Sequence, residues 1–418
     1  MAQTIPIMRQ AELSRPRLIL TVLTGIFMIQ SVIIGGLNFS FADLGLVALL
    51  LVLFWDAESR LPLVGLSFLA VIFISRTLIT LVLPTWLEIM NPSVFGSILK
   101  LGLIMVYFVA GYLIGTRTGM LTVLLKTFLW ANVVVGVVGM VVVVTNTSQW
   151  VPWLFTAFRL KGLMNDPNYF SMLQLMSLPL VGLFYQHRPV LKGLVVSCLT
   201  VAAILSGSKS ALLVLCLYGV AMLVIWLARL MMQRHWLTLT LVVLGSLIMV
   251  NVAVLLATQL TGLIQALEQI NPSFSRVSTV FSGDNPLTAN GSDRTEAWTN
   301  ALQITTITSG LGIGFHEYAV VAQQLLGDGV IAHNTVLQLL VEWGLGFTFI
   351  FICYVGYQLW RGWRSTSMRV RALTKAILIC LMFSMSISLN NSRVFWVFFG
   401  IWCAQIYLTE QLKKGGEH

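Results

Sequence analysis

"GMLTVLLKTFLWANVVVGVVGMVVVV" fills Gly119–Val144, and Lys126 is its one charged residue. A helix of this length rises 1.5 Å per residue and exceeds the roughly 30 Å hydrocarbon layer of a bilayer. The stretch therefore reads as a membrane span, and the rest of the chain repeats it in kind. The sequence is 57% hydrophobic and 10% charged. Its mean hydropathy is +0.89. A soluble chain of this size would have too little polar surface to cover such a core. Composition thus excludes an ordinary globular enzyme and predicts an all-α polytopic membrane protein.

Apolar runs near the spanning length number about twelve. They lie at 18–36, 40–55, 61–83, 94–115, 119–144, 168–186, 190–206, 210–230, 236–257, 333–360, 371–389 and 393–411. The runs at 40–55 and 190–206 are the shortest. Arg9, Arg15 and Arg17 precede the first run, with no cleavage signal after it, so it reads as a retained span. Residues 1–418 read as a single membrane domain. The chain carries a net charge of +10. In a soluble protein that would raise nucleic acid as a partner. Here its natural place is the cytoplasmic side of the spans. With the N-terminus inside, the Lys and Arg residues fall on inner loops, with eight exceptions. Those are Arg76, Lys100, Arg159, Lys161, Lys209, Arg276, Arg294 and Arg393. Most acids fall on the other side. Both termini are then cytoplasmic. The five cysteines lie in apolar runs without metal-ligand spacing and read as small buried hydrophobes.

Two segments stand outside the spans on the outer face, a loop at 145–168 and a large one at 258–332. A structureless loop of the second length would be unusual, which marks it as functional. Within it, "SDRTEAWTNALQI" pairs Asp293 as an N-cap with Glu296 three residues on, a capping-box pattern. Trp298, Ala301, Leu302 and Thr305 then share one helical face. That face suits either the membrane surface or the bundle.

The eight outer cations run against the charge trend. Arg76 and Lys100 lie about two turns inside their spans, where a cation must snorkel, pair or line a wet cavity. Arg159, Lys161, Lys209 and Arg393 sit in outer loops or at outer span ends. Taken singly, each reads as an interfacial anchor. Taken together, they read as a site for an anion such as a diphosphate, bound bidentately by Arg and as a point charge by Lys. Arg294 opens a helix, where a cation opposes the dipole; with the free N–H groups it makes an anion site, or else it pairs with Asp293 or Glu296.

"GDGVIAHNTVLQLLVEWG", Gly327–Gly344, carries the large loop into the next span. His333 stands at that boundary. A helix start and nearby cations both disfavour the imidazolium. A neutral ring beside an anion site can take a proton from an attacking hydroxyl. A plain interfacial hydrogen bond is the other reading. Glu342 lies about 14 Å further along the helix, too far to orient His333.

These residues resemble the O-antigen polymerase and O-antigen ligase superfamily, membrane glycosyltransferases of the GT-C type. The likeness rests on "RLKGLMNDPNYFS" (Arg159–Ser171), "LSGSKSALL" (Leu205–Leu213) and "SDRTEAW…GLGIGFHEY…AHNTVLQLLVEWG" (Ser292–Gly344). It implies a bundle with one large extracytoplasmic loop, in the bacterial cytoplasmic (inner) membrane. Arg294 would bind the lipid diphosphate, and His333, followed by Asn334, would activate the acceptor hydroxyl or lie next to it. Arg159 and Lys209 would contact the donor, with Lys209 departing from the family's arginine. The implied donor is a polyprenyl-diphosphate-linked oligosaccharide. The acceptor is another repeat unit or a different glycolipid. The resemblance implies no metal and no cofactor, in keeping with the lack of a D-x-D pattern among the outer acids. A chain-length regulator is an implied partner; nucleic acid is not. The forms "NDPNYFS" and "AHNTVLQLLVE" look more like a polysaccharide polymerase than a ligase. A lipid-linked oligosaccharide transporter and a peptidoglycan polymerase using Asp293 are further alternatives. The first would show internal repeats and midplane polar residues, which are not evident.

Overall fold

Helix starts in this chain are set by short polar signals placed before apolar runs. Pro stands in the first turn of the helices at 15, 167 and 189. Side-chain oxygens of Ser40, Asp166, Asn334 and Ser367 accept from first-turn N–H groups. In the computed structural model, which describes residues 14–31, 40–55, 61–89, 94–233, 240, 245 and 294–415, these signals open helices at the expected places. The expected span at 236–257, the N-cap Asp293 and Arg276 lie outside the described residues.

The described helices are α1 (Arg15–Phe27), α2 (Phe41–Phe54), α3 (Leu63–Leu87), α4 (Phe95–Gly115), α5 (Thr118–Val144), α6 (Pro167–Phe184), α7 (Pro189–Leu205), α8 (Lys209–Met232), α9 (Arg294–Ile307), α10 (Tyr318–Leu326), α11 (Thr335–Trp343), α12 (Leu345–Arg364), α13 (Met368–Phe383) and α14 (Arg393–Gly415). One two-stranded hairpin, β1 (Phe155–Thr156) with β2 (Arg159–Leu160), interrupts them. Among the described residues, α3, α4, α5 and α8 are long and apolar enough to cross a membrane. Helices begin at or near most of the expected runs, and the four span-length ones among the described residues leave the expected count of about twelve unconfirmed.

Small residues bring the central helices together. A Cβ on Gly111 would run into the Val397 carbonyl, and one on Gly400 into that of Phe108. This close approach locks α4 to α14, the packing that membrane helices use in place of a hydrophobic drive. Trp343, Phe351, Trp396 and Phe399 fill the space beside them with ring centroids 5.6–6.3 Å apart. At one end Arg361 Nε donates to Glu410 at 2.6 Å. At the other end lie the hairpin, the 206–209 turn and the segments 294–334 and 384–392.

Two expected spans are broken. The run at 333–360 is two helices, α11 and α12, parted at Gly344, whose φ of 82° and ψ of 169° no helix contains. Gly310, Gly312 and Gly314 all have positive φ and wrap the chain against this break. Leu345 N donates to Gly310 O (2.8 Å) and Ile313 N to Val341 O (2.8 Å). The run at 371–389 stops as helix at Phe383. The backbone after it pairs with the start of α11: Thr335 N donates to Ser384 O (2.7 Å), Thr335 Oγ1 to Ile387 O (2.8 Å), and Leu389 N to Thr335 Oγ1 (2.8 Å).

Candidate functional site

The 145–168 segment folds over the start of α6 and delivers Arg159. Positive-φ Ala157 turns the hairpin, and Arg159 leaves β2 with Nε on the Ser206 carbonyl (2.9 Å) and Nη2 near Asn168 Oδ1 (3.4 Å). Gly207, at φ 59°, closes the tight turn that carries that carbonyl. Ser208 Oγ accepts from Ala211 N (3.2 Å) and starts α8, whose first residue is the half-buried Lys209. "RLKGLMNDPN" and "SGSK" therefore meet, and Arg159 is the joint. Lys161 is half-buried on the same segment, its backbone N–H on Leu154 O (2.9 Å).

Arg294 opens α9, which is tied to the loop before α11. Trp298 Nε1 donates to Ala332 O (3.0 Å), and Asn300 Nδ2 to Asp328 Oδ2 (3.0 Å). The two bonds hold the start of α9 beside His333. His333 itself has φ 46°, a left-handed conformation uncommon for a residue with a Cβ. Its side chain is exposed, while the residues on either side are buried. Desolvation by the surrounding protein lowers the His333 pKa, the Arg294 charge lowers it further, and Asp166 pulls it back up.

Asn334 answers why a His-Asn pair marks the boundary. Its Oδ1 accepts from Val336 N (3.0 Å) and Leu337 N (3.2 Å), so it caps α11. Its Nδ2 reaches toward Met385 O (3.5 Å), and the residue is 2% exposed. Asn334 thus ends the loop and starts the helix, and the residue before it is left exposed.

Arg76 and Arg393 both bond within the protein. Arg76 is 3% exposed, with Nε on Gly314 O (2.7 Å) and its guanidinium 4.6 Å from the Phe315 ring centre. A Cβ on Gly314 would sit 2.8 Å from the Arg76 carbonyl, so the glycine makes this approach possible. Arg393 forms an ion pair with Asp43 through Nε (2.5 Å) and Nη2 (2.8 Å), and donates from Nη1 to Gln30 O (3.0 Å). Tyr107 also donates to Asp43 (2.7 Å). These cations pin backbone and carboxylate within the protein. Lys100 lies exposed on α4, and no described contact brings it to the others.

Two features escaped the sequence reading. Asp166 caps α6, accepting from Asn168 N at 2.5 Å, and faces His333 electrostatically. Its Asp-Pro pair was a legible helix start. The 384–392 segment forms a wall behind α11. There Asn390 Nδ2 bridges both Glu342 oxygens (2.9 and 3.0 Å), and Gln338 Nε2 donates to Glu342 Oε1 (2.7 Å). Glu342 thus pairs with Asn390 and Gln338 and not with His333. Among the described residues no group of His, Cys, Asp and Glu is arranged to hold a metal.

The candidate site gathers the exposed His333 imidazole, cations from three separate segments (Arg159, Lys209, Arg294) and the Asp166 carboxylate. It can hold an anion and accept a proton beside it. Neither a curated protein nor a solved structure matches this chain. A family model described as O-antigen ligase matches residues 194–353, from α7 through the break at Gly344 into α12. That segment holds Lys209, Arg294 and His333, and over it the chain is similar to the O-antigen ligase family.

Proposed function

We propose that this protein is a membrane glycosyltransferase that polymerises polyprenyl-diphosphate-linked repeat units into O-antigen, capsule or exopolysaccharide. The observation that carries the reading is the meeting of three distant motifs around His333. Arg159 bonds to the "SGSK" turn and Asn168, while Arg294 and Asp166 act on His333.

In the reaction, the acceptor hydroxyl oxygen attacks the donor's anomeric carbon as His333 takes its proton. The bond from that carbon to the diphosphate oxygen breaks, and the diphosphate leaves with the electron pair. Arg294, Arg159 and Lys209 stabilise the charge that develops there. Direct displacement inverts the anomeric centre. The loop end of the bundle faces the extracytoplasmic side of the bacterial inner membrane, and both termini are cytoplasmic. A chain-length regulator is a fitting partner.

The description of the matching family favours a second reading, a ligase that passes the glycan to a different glycolipid. The test gives purified protein a lipid-linked repeat unit as its sole substrate, with and without EDTA. A product ladder that resists EDTA and disappears in His333→Ala supports the polymerase. Transfer only after a second glycolipid is added supports the ligase. No transfer to any acceptor, together with movement of the donor across liposomes, would sink both.

A further inference from the structure

Far from His333, at the end of the bundle where Arg361 pairs with Glu410, α12 and α13 leave an open groove of about 340 Å³. Leu359, Trp360, Trp363, Arg364, Thr374 and Leu378 line it. The size falls within the range of small-molecule clefts, about 300–1,000 Å³. Gly362 explains its floor: a Cβ there would strike Thr374 Oγ1, so the two helices touch beneath the groove. The Thr374 hydroxyl is already committed, donating to Val370 O (2.8 Å) and accepting from Trp402 Nε1 (2.9 Å). Arg364 is therefore the polar group the groove offers. It is exposed, its guanidinium lies 4.7 Å from the Trp360 ring centre, and among the described residues no carboxylate pairs with it. Arg361, one turn away, differs in having Glu410. Arg369 and Arg371 add positive charge at the start of α13.

We propose that this groove binds an anionic glycerophospholipid, with the phosphate on Arg364 and the acyl carbons along Leu359, Leu378 and the two tryptophans. An occupant must bring a negative head and a hydrocarbon body, because the lining offers one cation and otherwise carbon. Trp360 and Trp363 are 51% exposed each, as aromatic side chains are at a membrane interface. A basic pocket between membrane helices is suited to lipid head groups. The inference rests on the membrane character of the chain and not on the transfer reaction.

The test uses full-length protein, delipidated in detergent and titrated with phosphatidylglycerol or phosphatidylcholine of equal chain length, read by native mass spectrometry. The expected result is preferential retention of phosphatidylglycerol. Arg364→Gln should cut that preference about fivefold, the weight of one cation at a membrane surface. Arg371→Gln, at the same end but outside the groove, should leave it unchanged. Equal retention of both lipids, or a preference that survives Arg364→Gln, would overturn the proposal. So would a lipid-independent dimer abolished by Trp363→Ala, which would assign the groove to a second copy of the chain.

Discussion

His333 has its pKa set by burial and by two charged neighbours, Arg294 and Asp166, and the two neighbours can be changed separately. Its pKa lies below the ordinary 6.5 because of burial first and Arg294 second, with Asp166 opposing. A base with a lowered pKa stays neutral as pH falls past that ordinary value. Activity should therefore hold to about pH 6.5 and drop only below it. Asp166→Asn keeps a capping side chain for α6 but removes the charge that favours the imidazolium. The acidic limb of its pH–rate profile should move to lower pH, and a limb that moves up would contradict the assignment. Asn334 is a separable case. Asn334→Ala should cost about 1 kcal/mol through loss of the α11 cap, seen in thermal unfolding, whereas Asn334→Ser should recover most of it. Residue type and position against a span boundary are local facts, so His333, Arg159, Lys209 and Arg294 could be singled out from the sequence. The bonds that Asn334, Arg76 and Arg393 make within the protein could not be read there, because a side chain's bonding partner is not local. Gly314, the acceptor for Arg76, stands 238 residues away.

Most helix starts were legible within a few residues, since apolar runs and Pro, Ser, Asp and Asn starts are written in sequence. The breaks were not. Trp343, Gly344 and Leu345 carry apolar character straight through position 344, and hydropathy is blind to φ. Gly344→Ala tests that element. The residue would have to adopt a backbone region open essentially to glycine alone, and its Cβ would lie 2.5 Å from Leu311 O. The expected loss is about 1–3 kcal/mol, with a fall in transfer activity as α11 and His333 shift together. Gly346→Ala meets no atom within 4 Å and serves as the control; it should leave unfolding and turnover near wild type. Matching losses in both variants would mean that the break does not position the site.

Across the whole molecule, Asp43 and Arg393 join α2 to the start of α14 over a separation of 350 residues. Both are nearly covered, with side chains 1% and 9% exposed. Asp43→Ala would leave a buried cation without its partner and should destabilise by about 3–5 kcal/mol. Asp43→Leu with Arg393→Met removes both charges and should recover much of that, as measured by unfolding in detergent. A double variant as unstable as the single one would show that the pair does more than neutralise itself. No sequence pattern could have matched these two residues, because the fold alone brings them together. The short helix α11 carries a different consequence, one of order in time. Nine residues rise only about 14 Å, too short to cross a bilayer alone. The backbone that satisfies its start, around Ile387, comes 52 residues later in the chain. During synthesis the ribosome therefore delivers α11 before its shelter exists, so the start of this half-length helix can settle only after residues 384–389 have followed it.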